Sequence, residues 1–236
     1  MERFKKIEDQ IRWYYGRPEE YLTNHYPRNY FDFFIDVGAR GIKNPWHINH
    51  LALANPETLF LGYEPDLPYY NELVESTKDL KNVKMHREGF GTGKQMDTPQ
   101  GPNQTVSLTD IFTKNTLDCN STWAIKFDCE GGEYALMEDE CRGCVELMKK
   151  ADHISLEFHA RGAKLKGWEQ PNFFIKTNRS LPSSFVGPEE WMMQNFSESH
   201  DIFLTSYDQR LALKTFVLLS NKIMSSVDSL FWKDLL

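Results

Sequence analysis

No stretch of this chain approaches the roughly 18 consecutive apolar residues that a membrane-crossing helix needs, so the sequence predicts no span. An excess of positive charge is missing too. The formal net charge is −7 and the pI is near 5.5, which excludes broad electrostatic binding to nucleic acid while leaving room for a local basic patch. The first eight residues, Met1 to Glu8, contain no apolar signal core. That predicts a cytoplasmic protein if the chain is full length, and allows the secretory-pathway lumen if it is cut from something longer. No second C-x-x-C accompanies Cys141-Arg142-Gly143-Cys144, and Cys119 and Cys129 are irregularly placed. A structural zinc site needs four ligands, commonly from two such pairs, so these cysteines read as structural residues at a helix end. Sequons of the form N-x-[S/T] begin at Asn103, Asn120, Asn178 and Asn195; about two are expected by chance, so the excess is a weak hint of a secretory relative. No internal repeat is visible.

Glycine is short where it matters most. A turn that wraps a dinucleotide pyrophosphate wants G-x-G-x-x-G, because amides at the helix start must close around the phosphates. In Tyr30-Phe31-Asp32-Phe33-Phe34-Ile35-Asp36-Val37-Gly38-Ala39-Arg40-Gly41, Gly38 and Gly41 frame Ala39 and Arg40, and no third glycine follows. The run itself, aromatic and β-branched and closed by a glycine turn, predicts a buried strand. Asp36 falls at its carboxyl end, beside glycines that let backbone approach a ligand closely. A second strand, Leu59 to Tyr63, ends in Glu64-Pro65-Asp66, bringing an acid to the place where ribose hydroxyls need an acceptor. In an open parallel sheet, ligands bind outside the carboxyl ends of the strands where strand order reverses. A nucleoside without phosphates needs fewer amides, and S-adenosylmethionine fits these turns better than a nicotinamide cofactor.

The 236 residues divide most simply into an N-terminal helical extension over 1–28 and one α/β domain over 29–236. Phe4, Ile7, Ile11 and Tyr14 or Tyr15 recur at helical spacing, and Pro18 restarts a second short helix. Helices are predicted around Trp46 to Ala54 and from Leu67 to about Leu80, with a third strand at Val83 to His86. The turn through Gly89, Phe90 and Gly91 offers backbone and an aromatic ring for an adenine pocket. Residues 94–105 are polar, contain Pro99 and Pro102, and read as a loop. A short helix opens at Ser107, strands follow at Thr122 to Asp128 and His153 to His159, and a helix spans about Glu133 to Met148. Residues 160–186 lack periodicity and suit a substrate lid. A helix from Pro188 to Ser197 precedes a terminal hairpin over 202–207 and 215–219. Alternating strands and helices closed by a hairpin specify a doubly wound, mainly parallel sheet with one antiparallel strand.

Side chains alternate between faces along a strand. Ala124, Lys126 and Asp128 therefore share one face of the fourth strand, and Ser155, Glu157 and His159 share one face of the fifth. If the two strands are neighbours, Lys126, Asp128, Glu157 and His159 converge at one carboxyl edge, with Glu130 just beyond. Ionisable groups in otherwise apolar strands are expensive to bury without partners or a task. A structural ion-pair network is the competing reading.

Four motifs occur in order: Asp36-Val37-Gly38-Ala39-Arg40-Gly41, Gly62-Tyr63-Glu64-Pro65-Asp66, Ser107-Leu108-Thr109-Asp110 and Ile125-Lys126-Phe127-Asp128-Cys129-Glu130-Gly131-Gly132-Glu133. Together, over about residues 30 to 220, they resemble the FkbM-like family of class I S-adenosylmethionine-dependent methyltransferases, most distinctively in the K-x-D-x-E-G-x-E element. The resemblance implies a seven-stranded Rossmann-like sheet with the cofactor over its first three strands, and methylation of a hydroxyl on a small molecule, saccharide or related acceptor. It implies that Asp36, Gly38 and Gly41 place the methionine end, with Ala39 and Arg40 in the same turn, and that Glu64, beside Pro65, accepts from the ribose hydroxyls. Gly89, Phe90 and Asp128 complete the expected cofactor contacts. Arg40 stands where many relatives carry Asn, and the stretch after His159 departs as well, so the acceptor does not carry over.

A hydroxyl acceptor with a pKa far above 7 needs a base or a metal to become nucleophilic. His159 is the expected base, with Lys126 and Asp128 beside it as the other catalytic candidates. Asp128, Glu130 and Glu157 are the alternative, a carboxylate set for a hard divalent ion such as Mg or Mn. Two rival readings stand beside the transferase: a non-catalytic cofactor-binding or scaffold subunit, and a nicotinamide-dependent oxidoreductase. The sequence is silent on oligomeric state.

Overall fold

The computed structural model describes residues 12–13, 26–40, 48–98, 101–129, 132–137, 141–159, 188–208 and 213–221. Its main sheet contains β1 (Arg12–Trp13), β2 (Phe33–Val37), β3 (Leu59–Tyr63), β4 (Val83–His86), β8 (Trp123–Phe127), β9 (His153–His159), β10 (His200–Asp208) and β11 (Leu213–Ser220). The spatial order is β1-β10-β11-β9-β8-β2-β3-β4. From β4 across to β9 every pairing is parallel, and β11 runs antiparallel to both β9 and β10. Apart from the two-residue β1, this is the seven-stranded, mainly parallel sheet that the alternation of elements specified. Chain order runs outward in one direction from β2 to β4 and in the other from β8, so it reverses between β2 and β8.

Helices α1 (Ile48–Ala54) and α2 (Leu67–Thr77) follow β2 and β3; α3 (Leu108–Asn115), α4 (Arg142–Met148) and α5 (Pro188–Phe196) serve the other half. The strands sort their side chains accordingly. Phe33, Ile35, Val37, Trp123, Ile125, Phe127, Ile154 and Leu156 pack with Leu108, Ile111, Met148 and Phe196. Phe34, Phe60, Ala124 and Val217 pack on the other face with Ile48, Leu51 and Leu73. Two apolar faces explain why the central strands read as nearly continuous hydrophobic runs. Phe33 stacks on Trp123 with ring centroids 5.5 Å apart at 16°, and Phe112 closes edge-on against both. Among the described residues no helix is long and apolar enough to cross a membrane.

Local signals account for the boundaries. Ser107 caps α3 in a reciprocal box, its hydroxyl accepting from the Asp110 N–H at 3.2 Å while the Asp110 carboxylate accepts from the Ser107 N–H at 2.9 Å. Cys141 and Cys144 lie buried at the start of α4, neither of them in a disulfide.

Three expectations are corrected. Arg12–Trp13, expected inside a helix, forms β1 and pairs parallel with Phe203 and Leu204; a two-residue edge strand is held by backbone pairing and leaves no period to read. The remainder of the expected N-terminal helices, like the expected lid over 160–186, lies outside the described residues. Residues 94–105, expected as a loop, contribute to an antiparallel hairpin of β6 (Gln95–Thr98) and β7 (Gly101–Val106). It hides from sequence reading because its ladder and polar side chains hold it, including the Gln104 N–H bonded to Asn103 Oδ1 at 2.8 Å. The single helix expected from Glu133 to Met148 is broken into a 3-10 segment at Gly132–Met137 and the α-helix α4.

Candidate functional site

Ligands of open parallel sheets bind where strand order reverses, here between β2 and β8, and polar residues gather at the carboxyl ends of these strands. Asp36 on β2 is in register with Lys126 on β8. Lys126 Nζ lies 3.2 Å from Asp36 Oδ1 and 3.7 Å from Asp128 Oδ2. Asp36 and Lys126 are 5% and 8% exposed, whereas the Asp128 side chain is 32% exposed. One ammonium thus lies between two carboxylates, buried on one side and open at Asp128. Removing a partner from such a pair leaves an uncompensated buried charge, which is strongly destabilising.

Gly38 closes this corner. Its φ is +79°, and a β-carbon there would stand 1.8 Å from the Asp128 carbonyl oxygen. The Asp128 N–H donates to the Val37 carbonyl at 2.9 Å, knitting the two strand ends together. The Gly38 and Ala39 N–H groups both donate to the Tyr63 carbonyl, at 2.9 and 3.2 Å. These two amides are therefore engaged within the protein and do not face a phosphate. Gly41 lies outside the described residues.

At the tip of β3, Glu64 is 5% exposed. Its Oε1 accepts from the Asp66 N–H at 2.8 Å. Burial pushes the Glu64 carboxyl up to about 7; the Asp66 N–H opposes this, the Asp66 charge adds to it, and Arg40 and Asp36 pull in opposite directions. The Arg40 guanidinium lies 4.0 Å from the centre of the Tyr69 ring and donates to the Tyr69 hydroxyl at 2.5 Å. The Pro65 carbonyl accepts from Asn103 Nδ2 at 2.8 Å.

Gly89 and Phe90 form β5, paired with Thr105 and Val106 of β7. The Phe90 ring is 5% exposed and packs edge-on against Phe127 at 4.8 Å. Phe90, expected at an adenine pocket, is thus a buried ring beside the carboxyl end of β8.

On β9, Ser155 is the register partner of Lys126, so position 157 falls beside position 128 on the same face. Glu157 also pairs across to Thr215, and His159 to Leu213, on β11. The strand neighbourhood of Asp128 and Glu157 is therefore as expected, while Glu130 and the His159 side chain lie outside the described residues. No group of three His, Cys, Asp or Glu side chains that could hold a metal occurs among the described residues.

Sequence reading missed several residues around the same rim. Asp66 Oδ1, His86 Nε2, Arg87 Nε and Thr92 Oγ1 are buried without a hydrogen-bond partner. Buried polar atoms are nearly always paired; of these four, Asp66 follows β3, His86 and Arg87 stand at the end of β4, and Thr92 lies beyond β5. His86 stacks on Tyr63 at 4.6 Å and 11°, and burial, then the Lys114 charge, lowers its pKa, favouring the neutral ring. A histidine ending a short strand was a usable signal. Asn103, reaching back from a hairpin, gave none.

No family model and no curated protein matches this chain. Solved structures do. A fibrillarin from Aeropyrum pernix, with natively bound S-adenosyl-L-methionine, is similar over 86% of this chain and 69% of its own, at 10% identity and a TM-score of 0.47. An S-adenosylmethionine-dependent methyltransferase from Aquifex aeolicus is similar over 86% and 88%, at 12% identity and a TM-score of 0.42. A human methyltransferase 10 domain-containing protein is similar over 85% and 77%, at 15% identity and a TM-score of 0.42. Identities this low transfer no function.

Proposed function

We propose that this chain is an S-adenosylmethionine-dependent methyltransferase that methylates a hydroxyl of a small molecule, saccharide or related acceptor, in the manner of the FkbM-like family its motifs resemble. The observation that carries the reading is the pairing, at the strand-order reversal, of the closely packed Gly38 corner with the buried Glu64 carboxyl. Ligands of open parallel sheets bind at that reversal. The residues fit a nucleoside: Glu64 supplies an acceptor for ribose hydroxyls, and the unpaired atoms of Asp66, His86, Arg87 and Thr92 offer donors and acceptors beyond it. With the Gly38 and Ala39 amides bonded to Tyr63, the turn is poorly suited to a pyrophosphate, which disfavours the nicotinamide oxidoreductase.

When bound, the sulfonium supplies an electrophilic methyl group for in-line displacement. The protein's part is to align the acceptor and to keep water away. Glu64 anchors the ribose, Asp36 and Gly38 set the opposite end, and Asp128 stands at the open side of the crevice. His159, at the carboxyl end of β9, takes the proton from the acceptor hydroxyl in this reading. The alternative route to the same nucleophile is a divalent ion held by Asp128, Glu130 and Glu157.

Calorimetry with S-adenosylmethionine, S-adenosylhomocysteine and NAD tests the assignment. Binding of the first two without NAD is expected; NAD binding without the others would overturn it. Turnover is then sought by screening hydroxylated saccharides, lipids and nucleosides for methyl transfer.

A further inference from the structure

Of the N-x-[S/T] sequons, those that begin at Asn103, Asn120 and Asn195 lie among the described residues. A glycan joins the side-chain nitrogen of such an asparagine, and the folded chain must leave room for it. The sites differ in that room. Asn103 is half-buried in β7, its Nδ2 donating to the Pro65 carbonyl at 2.8 Å. Asn195 is half-buried in α5, its Nδ2 donating to the Trp191 carbonyl at 2.8 Å, and its neighbour Phe196 is wholly buried. A sugar at either position would press on packed chain.

Asn120 is exposed in the turn between α3 and β8. The turn closes through the Ser121 N–H, which donates to the Asp118 carbonyl at 3.1 Å. Asp118 Oδ1 accepts from the Asn120 backbone N–H at 2.9 Å and from Asn120 Nδ2 at 3.0 Å. A side-chain amide nitrogen has two hydrogens, so a sugar can replace one while the other keeps the bond to Asp118. The turn also stands at the amino end of β8. The whole strand, Trp123–Phe127, separates it by roughly 17 Å from the carboxyl-end residues, so a glycan here leaves the candidate site open.

We propose that Asn120 carries an N-linked glycan, and that this part of the chain resides in the lumen of the secretory pathway. The donor is a lipid-linked oligosaccharide diphosphate. Asn120 Nδ2 forms a bond to the anomeric carbon, and the bond from that carbon to the diphosphate oxygen breaks. The lipid diphosphate leaves, and the amide proton passes to a base of the glycosyl transferase. Thr122 supplies the hydroxyl that completes the sequon. In the folded chain this hydroxyl lies 2.8 Å from Asp32 Oδ2 and 3.1 Å from the Tyr30 carbonyl, so transfer precedes the docking of β8 beside β2.

The test expresses the whole gene product in eukaryotic cells, treats it with peptide N-glycosidase F in heavy-oxygen water and reads the peptides by mass spectrometry. That enzyme converts a glycosylated asparagine to labelled aspartate. Label at Asn120, with none at Asn103 or Asn195, is expected. Asn120→Gln, which keeps Thr122 and its bonds, should lose one glycan's worth of gel shift. Thr122→Ala should lose the label at Asn120, and Thr122→Ser should retain it. An unlabelled Asn120 in the wild-type protein would overturn the site. Label at Asn103 or Asn195 would overturn the choice that the fold makes among the sequons.

Discussion

Gly38 and Asp128 touch backbone to backbone: a β-carbon on Gly38 would stand 1.8 Å from the Asp128 carbonyl oxygen. The contact joins the turn after β2 to the end of the strand that carries Lys126. Gly38→Ala would meet both this clash and a φ of +79°, which side-chain-bearing residues rarely adopt. It should cost about 3 kcal/mol or more, seen as a lowered melting temperature, with nucleoside binding lost in whatever folds. An unaltered melting temperature would mean the strand ends are not in contact.

Glu64 should make stability and nucleoside binding depend on pH in a defined direction. Burial raises its carboxyl from 4.5 to about 7. Between those values the folded chain holds a proton that the unfolded chain has released, so this residue's contribution to stability declines as pH rises through the window. In the proposed function ribose hydroxyls donate to this carboxylate, so nucleoside binding should expel that proton. Affinity should climb up to about pH 7 and level off above it, as followed by calorimetry from about pH 5.5 to about pH 8.5. Glu64→Gln should flatten the profile, and Glu64→Ala should weaken binding by about 1.5–3 kcal/mol.

At the other end of the crevice, His159→Ala should lower turnover by roughly 10²–10⁴ and spare nucleoside affinity, as for a lost general base. If the divalent route operates instead, Asp128→Asn should abolish metal binding, measured by calorimetry with Mg or Mn, together with turnover. Full activity in both variants would remove β8 and β9 from the chemistry.

Asn103 reaches from the β6–β7 hairpin to the Pro65 carbonyl at 2.8 Å. Asn103→Ala should loosen the segment that carries Glu64. We expect a loss of about 0.5–1.5 kcal/mol in nucleoside affinity, with faster hydrogen exchange across 95–106. Exchange unchanged in the variant would show that the hairpin is held without this bond.

Much of this architecture was legible because burial writes itself into sequence. Phe33 to Val37 and Trp123 to Phe127 are apolar on both faces, and only strands covered by helices on both sides read that way. Asp36 and Lys126 stood out as charges at the ends of such runs, and their register makes them partners. What failed had no apolar signature. The hairpin is held by ladder bonds and by Asn103 and Gln104, and β1 is a two-residue strand paired with β10. The rim atoms of Asp66 and Arg87 were invisible because a missing partner is a property of three-dimensional packing.

The two residues of β1 have a consequence beyond the crevice. They lie along the outer side of β10, opposite Phe203 and Leu204, and β10 is otherwise the last strand of the sheet on that side. An uncovered strand edge is a template for another chain. Removing the segment that carries Arg12 and Trp13 should therefore leave the β10 edge open to pairing with a strand of another chain.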